Sequence, residues 1–336
     1  YTVLARPLKD VIKERHFILA FGRIVGKIKA RSYEKKRNII DSGVGLEYSH
    51  KYTVPYMPKI QKQKVYDMAI SFLTPHYFVE QKVRAKKKIA WIHTDYSKVQ
   101  INVESELKMW KKYDKIVSIS DAVTESFLKV FPDLKDKIVV IENILPEQLI
   151  YKQMDEFDVS EEMFSEGVKL LSIGRYCYAK NFDNIPNICS RMLNKGINIT
   201  WYIIGFGVAE ELIKEKIREE KMENHVILLG KKQNPYPYIK ACDIYVQPSR
   251  YEGKSVAVRE AQLIKKPVII TNYSTAKSQL ENEIDGLIVP MENKDCADQM
   301  VEIIQDVEKL RKISEACSKR DYSNKREVQK LYKLFE

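Results

Sequence analysis

Glu252 and Glu260 stand with seven residues between them, a spacing that sets one in a turn and the other inside a helix. The segment reads Ser249-Arg250-Tyr251-Glu252-Gly253-Lys254-Ser255-Val256-Ala257-Val258-Arg259-Glu260-Ala261. It lies between two apolar runs, Ile244-Tyr245-Val246 and Pro267-Val268-Ile269-Ile270, which is the pattern of strand, turn, helix, strand. Gly253 permits a tight turn, and Ser255 is a candidate N-cap for a helix that starts at Val256 and runs through Leu263. A helix start offers unpaired N–H groups and a positive dipole end, which suits a phosphate. A carboxylate accepts two hydrogen bonds at once, so each glutamate can grip adjacent sugar hydroxyls.

Cations for a phosphate are present as well. Gly174, Arg175 and Lys180 follow the apolar run Leu170-Leu171-Ser172-Ile173. Open α/β sheets bind ligands at the carboxyl ends of their strands, where Arg grips phosphate oxygens bidentately and Lys supplies a mobile charge. Gly205-Phe206-Gly207 also follows a strand pattern, but Glu210 occupies the third glycine position of a dinucleotide fingerprint, so an NAD site is not expected. His93 follows Ile89-Ala90-Trp91-Ile92 and precedes Asp95. No Asp-x-Asp pair and no His/Cys/Asp cluster has metal-ligand spacing, so no metal and no cofactor is expected.

The elements that must position these groups are legible from about residue 65. Strand patterns at 66–72, 89–92, 116–120 and 138–141 alternate with helical patterns at 103–112 and 122–131. A second alternation begins at 169, with strands at 169–173, 198–204, 225–229, 243–247, 267–271 and 286–290. Helices are expected at 183–194, 208–219, 235–241, 255–264, 294–306 and 307–318, with a last amphipathic helix over 322–335. Alternation of this kind implies parallel, doubly wound sheets. The acidic stretch 153–166 lacks apolar periodicity and reads as the end of one domain and a linker to the next. The first 64 residues are less legible. Residues 11–28 have helical spacing, and Gly22, Gly26 and Lys27 only imitate a phosphate loop, one residue short and with no Ser or Thr after the lysine.

These motifs together resemble the retaining glycosyltransferases of family 4. The glutamate pair, Ser172-Ile173-Gly174-Arg175 with Lys180, Ile203-Ile204-Gly205-Phe206-Gly207, Val226-Ile227-Leu228-Leu229-Gly230 and Asp285-Gly286-Leu287-Ile288-Val289 come in that family's order. The resemblance covers residues 65–336 and is tightest over 168–290. Tyr251 to Ser255, with Gln279, looks most like bacterial enzymes of capsule, exopolysaccharide and lipopolysaccharide assembly.

It implies the GT-B fold, two Rossmann-like doubly wound parallel-sheet α/β domains facing across a cleft. They would be an acceptor-side domain over 1–152, a linker over 153–167 and a donor-binding domain over 168–318. Residues 319–336 would return to the first domain. It implies a nucleotide-diphosphate sugar donor, with UDP favoured, and a glycan or lipid-linked acceptor. Arg175 and Lys180 would hold the diphosphate, Glu252 the sugar and Glu260 the ribose. Gly174, Gly205, Gly207 and the Gly253, Lys254, Ser255 and Val256 turn would line the donor, and His93 the sugar pocket. Lys254 and Ser255 replace the commoner Phe-Gly, and Ser278 stands where many relatives carry a glutamate. These enzymes begin with a strand and a Gly-rich loop, which Tyr1-Thr2-Val3-Leu4 does not supply, so a native N-terminus is expected to be missing.

Composition narrows the alternatives. A hydrophobic fraction of 44% with 31% charged residues excludes a disordered chain. No apolar run approaches the ~20 residues that cross a bilayer. The five cysteines form no paired motif and read as reduced thiols of a cytoplasmic protein. The net charge of +11 is carried by residues 1–150, with 28 basic and 17 acidic residues, while the remainder holds 29 of each. That asymmetry fits an anionic membrane surface, with Lys82, Arg84, Lys86, Lys87 and Lys88 the leading contact and a peripheral position at the cytoplasmic face. Nucleic acid would attract the same charge, but no RNP aromatics or zinc spacing accompany it, so no nucleic-acid partner is expected. A catalytically silent GT-B module that binds a protein or glycan is the alternative reading.

Overall fold

The computed structural model describes residues 6–39 and 42–335, so the reading of residues 1–4 lies outside it. Two compact units form, one ending at Glu142 and rejoined by the segment from Val328 onward, the other spanning Asn143–Glu327.

The first unit opens with helices α1 (Leu8–Lys13), α2 (Phe17–Arg37) and α3 (Val44–Thr53). There follow β1 (Tyr66–Ser71), α4 (Tyr77–Lys82), β2 (Ala85–Ile92), α5 (Val103–Trp110), β3 (Lys115–Ser118), α6 (Asp121–Val130) and β4 (Ile138–Val140). The strands pair in parallel in the order β1-β2-β3-β4, which follows the chain without reversing. The apolar end of β2 is buried, and Ile89 and Ile92, with Ile116 and Val117 of β3, share one core with Trp110 of α5, Phe127 of α6 and Phe131 just after it. Asn102 and Ser120 cap α5 and α6 by accepting from Ser105 N and Val123 N.

Residues 11–28 are not one helix. Arg15 takes a left-handed φ of 62°, which breaks the chain between α1 and α2. Gly22 and Gly26 serve packing. A Cβ on either would lie 2.6 Å from a carbonyl oxygen of α3, Tyr52 O and Tyr48 O respectively, so the bare glycines let the two helices meet.

The second unit runs α7 (Glu147–Gln153), β5 (Val168–Ile173), α8 (Ile185–Asn194), β6 (Ile199–Ile204), α9 (Glu210–Glu219) and β7 (Val226–Gly230). It continues with α10 (Tyr236–Ala241), β8 (Ile244–Gln247), α11 (Val256–Leu263), β9 (Val268–Thr271), α12 (Ala276–Gln279) and β10 (Leu287–Val289), then α13 (Asn293–Gln305) and α14 (Val307–Ser318). Its six parallel strands take the order β10-β9-β8-β5-β6-β7. The order reverses between β5 and β8, the topological switch point at which doubly wound sheets bind ligands. β6 and β8 are buried along their whole length, as strands covered on both faces must be.

Two stretches differ from the sequence reading. The break between units falls at Glu142, and residues 153–167 lie inside the second unit because Val159 and Met163 are buried in its core. Of the helix expected over 322–335, only α15 (Val328–Lys333) is α-helical. Asp321 Oδ1 accepts from Ser323 N, and Asn324 sits at a left-handed φ of 53°, so the chain turns there instead. Leu331 and Leu334 then pack against the core of the first unit.

Candidate functional site

The loops after β5 and β8 leave adjacent strands on either side of the switch point and are tied to each other. Arg250 N donates to Ala179 O at 2.8 Å, and the Arg250 guanidinium grips both carboxylate oxygens of Asp183, at 3.0 and 2.7 Å. The same guanidinium lies 4.2 Å from the centre of the Tyr178 ring.

Between these loops Lys180 Nζ donates to Glu252 Oε1 at 2.5 Å, with both side chains largely buried. The sequence reading gave these residues to different parts of a ligand, and the structure brings them together. Glu252 Oε1 also accepts from Ser249 Oγ at 2.7 Å. Ser249 Oγ is held by Gln247 Nε2 at 2.9 Å, and Gln247 Oε1 by the Tyr245 hydroxyl at 2.8 Å. A polar chain thus runs from β8 to Glu252. The backbone of Glu252 is fixed as well, its carbonyl accepting from Thr275 Oγ1 at 2.8 Å. A Cβ on Gly174 would meet Lys180 Cε at 3.0 Å, so the lysine stem lies directly over that residue.

Arg175 is exposed and makes no hydrogen bond or ion pair among the described residues, so its donors are available. The turn beside it is held tightly. Gly174 N donates to Ile204 O and Tyr176 N to Phe206 O. A Cβ on Gly205 would fall 1.9 Å from Gly174 O, and one on Gly207 2.4 Å from Tyr176 O. Both glycines are therefore required by the close approach of two backbones.

Gly253 is buried in the turn, Lys254 is half-buried and Val256 is exposed at the first position of α11. Ser255 occupies the N-cap position with extended backbone, but its hydroxyl makes no capping bond. The Gln279 side chain fixes that residue instead, accepting from Ser255 N at 2.6 Å and donating to Ser255 O at 3.2 Å. One turn further, Glu260 Oε1 accepts from the Tyr236 hydroxyl at 2.9 Å, and burial holds the Glu260 carboxyl above its ordinary pKa. Near Glu252, the Tyr273 hydroxyl is buried without a hydrogen-bond partner.

His93 belongs to the first unit. Its ring packs on Phe72 with centroids 4.4 Å apart, its Nε2 is buried without a partner, and burial lowers its pKa. The basic cluster of that unit is already in use. Lys82 Nζ donates to Pro55 O, Arg84 to Lys62 O, Lys87 to Leu334 O and Lys88 to Glu80 O, while Lys86 pairs with Asp67. These contacts tie β2 and its approach to their surroundings, while Arg84 and Lys86 remain exposed.

Sequence reasoning missed Tyr236, Gln247, Ser249 and Thr275. Gln247 carried a signal, a polar residue closing an otherwise apolar strand. Tyr236 and Thr275 carried none, because the partners they meet are 24 and 23 residues away. Among the described residues no three His, Cys, Asp or Glu side chains gather as a metal site, and no helix is long and apolar enough to cross a membrane.

Residues 153–322 match the family model described as glycosyl transferases group 1. Over 206 residues the chain is 24% identical to the N-acetylgalactosamine-N,N'-diacetylbacillosaminyl-diphospho-undecaprenol 4-alpha-N-acetylgalactosaminyltransferase of Campylobacter jejuni, covering 61% of this chain and 54% of that relative. Over 116 residues it is 27% identical to the UDP-Gal:alpha-D-GlcNAc-diphosphoundecaprenol alpha-1,3-galactosyltransferase of Escherichia coli, covering 34% and 30%. The chain thus spans about half or less of the length of these curated relatives. Among solved structures, a mutant of TarM from S. aureus, solved with fondaparinux, alpha-GlcNAc-glycerol and UDP, superposes with a TM-score of 0.66. That match has 19% identity and covers 86% of this chain and 59% of the other. Likeness at this identity is one of fold, and the fold is GT-B. Because the matched family model takes in half of the chain, including both glutamates and both cations, the chain belongs to the glycosyl transferases group 1 family.

Proposed function

We propose that this chain is a retaining glycosyltransferase of family 4. It would transfer a sugar from a UDP-sugar to a glycan or lipid-linked acceptor during synthesis of a cell-surface polysaccharide such as capsule or lipopolysaccharide. The observation that carries the reading is the Lys180–Glu252 pair at the switch point, beside the start of α11. A buried cation and a buried carboxylate have to be compensated, and pairing them places both charges of the proposed donor site side by side. The UDP named with TarM and with the E. coli relative supports the donor, and the diphospho-undecaprenol in two relatives' names supports a lipid-linked acceptor.

In this reading Arg175, Lys180 and the first N–H groups of α11 neutralise the diphosphate without a metal or other cofactor. Glu252 orients the sugar and Glu260, held by Tyr236, orients the ribose. The bond from the anomeric carbon to the leaving phosphate oxygen breaks as the acceptor oxygen bonds on the same face. The acceptor proton passes to the departing diphosphate. The enzyme works at the cytoplasmic face of the membrane, held there peripherally by its basic first half.

A thermal-shift panel of nucleotide sugars tests this reading, because a ligand at 100 times its Kd adds about 2.7 kcal/mol of stability. UDP-sugars should raise Tm in the wild type and do so less in Lys180→Ala. A panel with no shift for any nucleotide sugar overturns it.

A further inference from the structure

Helix α2 has an apolar face toward the protein and a second one toward solvent. Leu19, Ala20, Gly22, Gly26 and Ala30 form the inner face. The outer face carries Phe17, Phe21, Ile24 and Ile28, whose spacing of four, three and four residues places them in one line. They are exposed by 62, 58, 40 and 60%, and Ile18 beside them by 65%. A helix at the surface of a water-soluble protein normally has a single apolar stripe. The second stripe therefore needs an occupant.

Charge identifies the occupant. α2 holds seven cations, Arg23, Lys27, Lys29, Arg31, Lys35, Lys36 and Arg37, against one carboxylate, Glu34. At 100° per residue, Lys27 and Arg31 flank the outer stripe on one side and Lys29 and Lys36 on the other, and Lys35 continues its line. All five are exposed. An apolar line bordered by cations on both sides matches an anionic bilayer surface, with rings and aliphatic chains at the acyl boundary and cations among the headgroups. A second copy fits poorly, since a two-fold contact would place these cations against their own equivalents.

We propose that α2 is the membrane-docking element, lying in the plane of an anionic lipid surface with Phe17, Phe21, Ile24 and Ile28 inserted. This inference rests on the membrane part of the proposed function and assigns it to a surface other than the Lys82, Arg84, Lys86, Lys87 and Lys88 cluster.

The test is co-sedimentation of the whole chain with phosphatidylcholine vesicles, with and without phosphatidylglycerol. Phe21→Ser with Ile28→Ser, and separately Lys27, Lys29, Arg31 and Lys35→Gln, are exposed changes that leave the inner face intact. The wild type should partition onto the anionic vesicles, and each variant should lose at least tenfold of that partitioning while its affinity for UDP is unchanged. Absence of wild-type binding, or equal binding to both lipids, overturns the membrane reading and this inference together. Anionic binding that survives in both variants overturns the assignment to α2 alone. A wild-type dimer in sedimentation velocity that dissociates in the Ser variant gives the stripe to a second copy and also overturns it.

Discussion

Lys180 Nζ and Glu252 Oε1 lie 2.5 Å apart although 72 residues separate them in the chain. One follows β5 and the other β8, neighbouring strands between which the sheet order reverses. In the proposed reading a donor diphosphate shares Lys180 with Glu252. Lys180→Ala and Arg175→Ala should each weaken UDP binding by about 1.5–3 kcal/mol, the range of a charge-assisted contact. Glu252→Gln should leave UDP affinity equal or tighter, since it releases Lys180, while lowering turnover. Calorimetry beside a transfer assay checks this, and equal loss of UDP affinity in Lys180→Ala and Glu252→Gln would contradict the division of roles.

Glu260 should act on the nucleotide and not on the transferred sugar. Glu260→Gln should weaken UDP and UDP-sugar alike. Tyr236→Phe, which removes one hydrogen bond to that carboxyl, should cost about 0.5–1.5 kcal/mol in the same direction. Unchanged UDP affinity in Glu260→Gln would remove it from the ribose site.

Activity should persist in excess EDTA after metal removal, because Arg175, Lys180 and the α11 start supply the positive charge that a metal would otherwise bring. Dependence on added magnesium or manganese would refute this.

The glycines after β6 should be intolerant of any side chain. In Gly205→Ala the new Cβ meets Gly174 O at 1.9 Å, so the two backbones have to separate. A loss of about 1–3 kcal/mol is expected in denaturant unfolding, the usual range for overpacking. Gly196→Ala, where no atom lies within 4 Å, separates the effect of crowding from that of a positive φ.

A buried carboxyl in the first unit should set part of its pH dependence. Burial and the charge of Glu47 raise Glu106 to about 7, while Tyr96 and Trp110 donate to it. The folded chain keeps this proton up to about pH 7 and the unfolded chain releases it near 4.5, so this contribution to stability is lost as pH rises through that window. Buried His76 and His50, lowered to about 3 and 4, act oppositely, since the unfolded chain takes up their protons below about 6.5. Glu106→Gln removes only the first effect. Its Tm should match the wild type near pH 4.5 and exceed it at pH 8, and a difference independent of pH would contradict the assignment.

What the sequence determined by itself is local in character. The alternation of apolar strands with amphipathic helices fixes the parallel sheets. The glutamate spacing sets Glu252 in a turn and Glu260 on a helix, and the glycines mark where backbones come close. These follow from periodicity and backbone freedom, which act within a few residues. The tertiary structure decided what depends on distant partners. It paired Lys180 with Glu252, gave Glu260 to Tyr236, fixed Ser255 through Gln279 in place of its own hydroxyl, and engaged the basic cluster of β2 with its neighbours. It also left a second apolar line on α2 facing solvent, which periodicity alone merges with the first. A side chain's charge and size are written in the sequence, but which charge neutralises it, and which face of its helix is covered, is settled only when the strands and helices take their order.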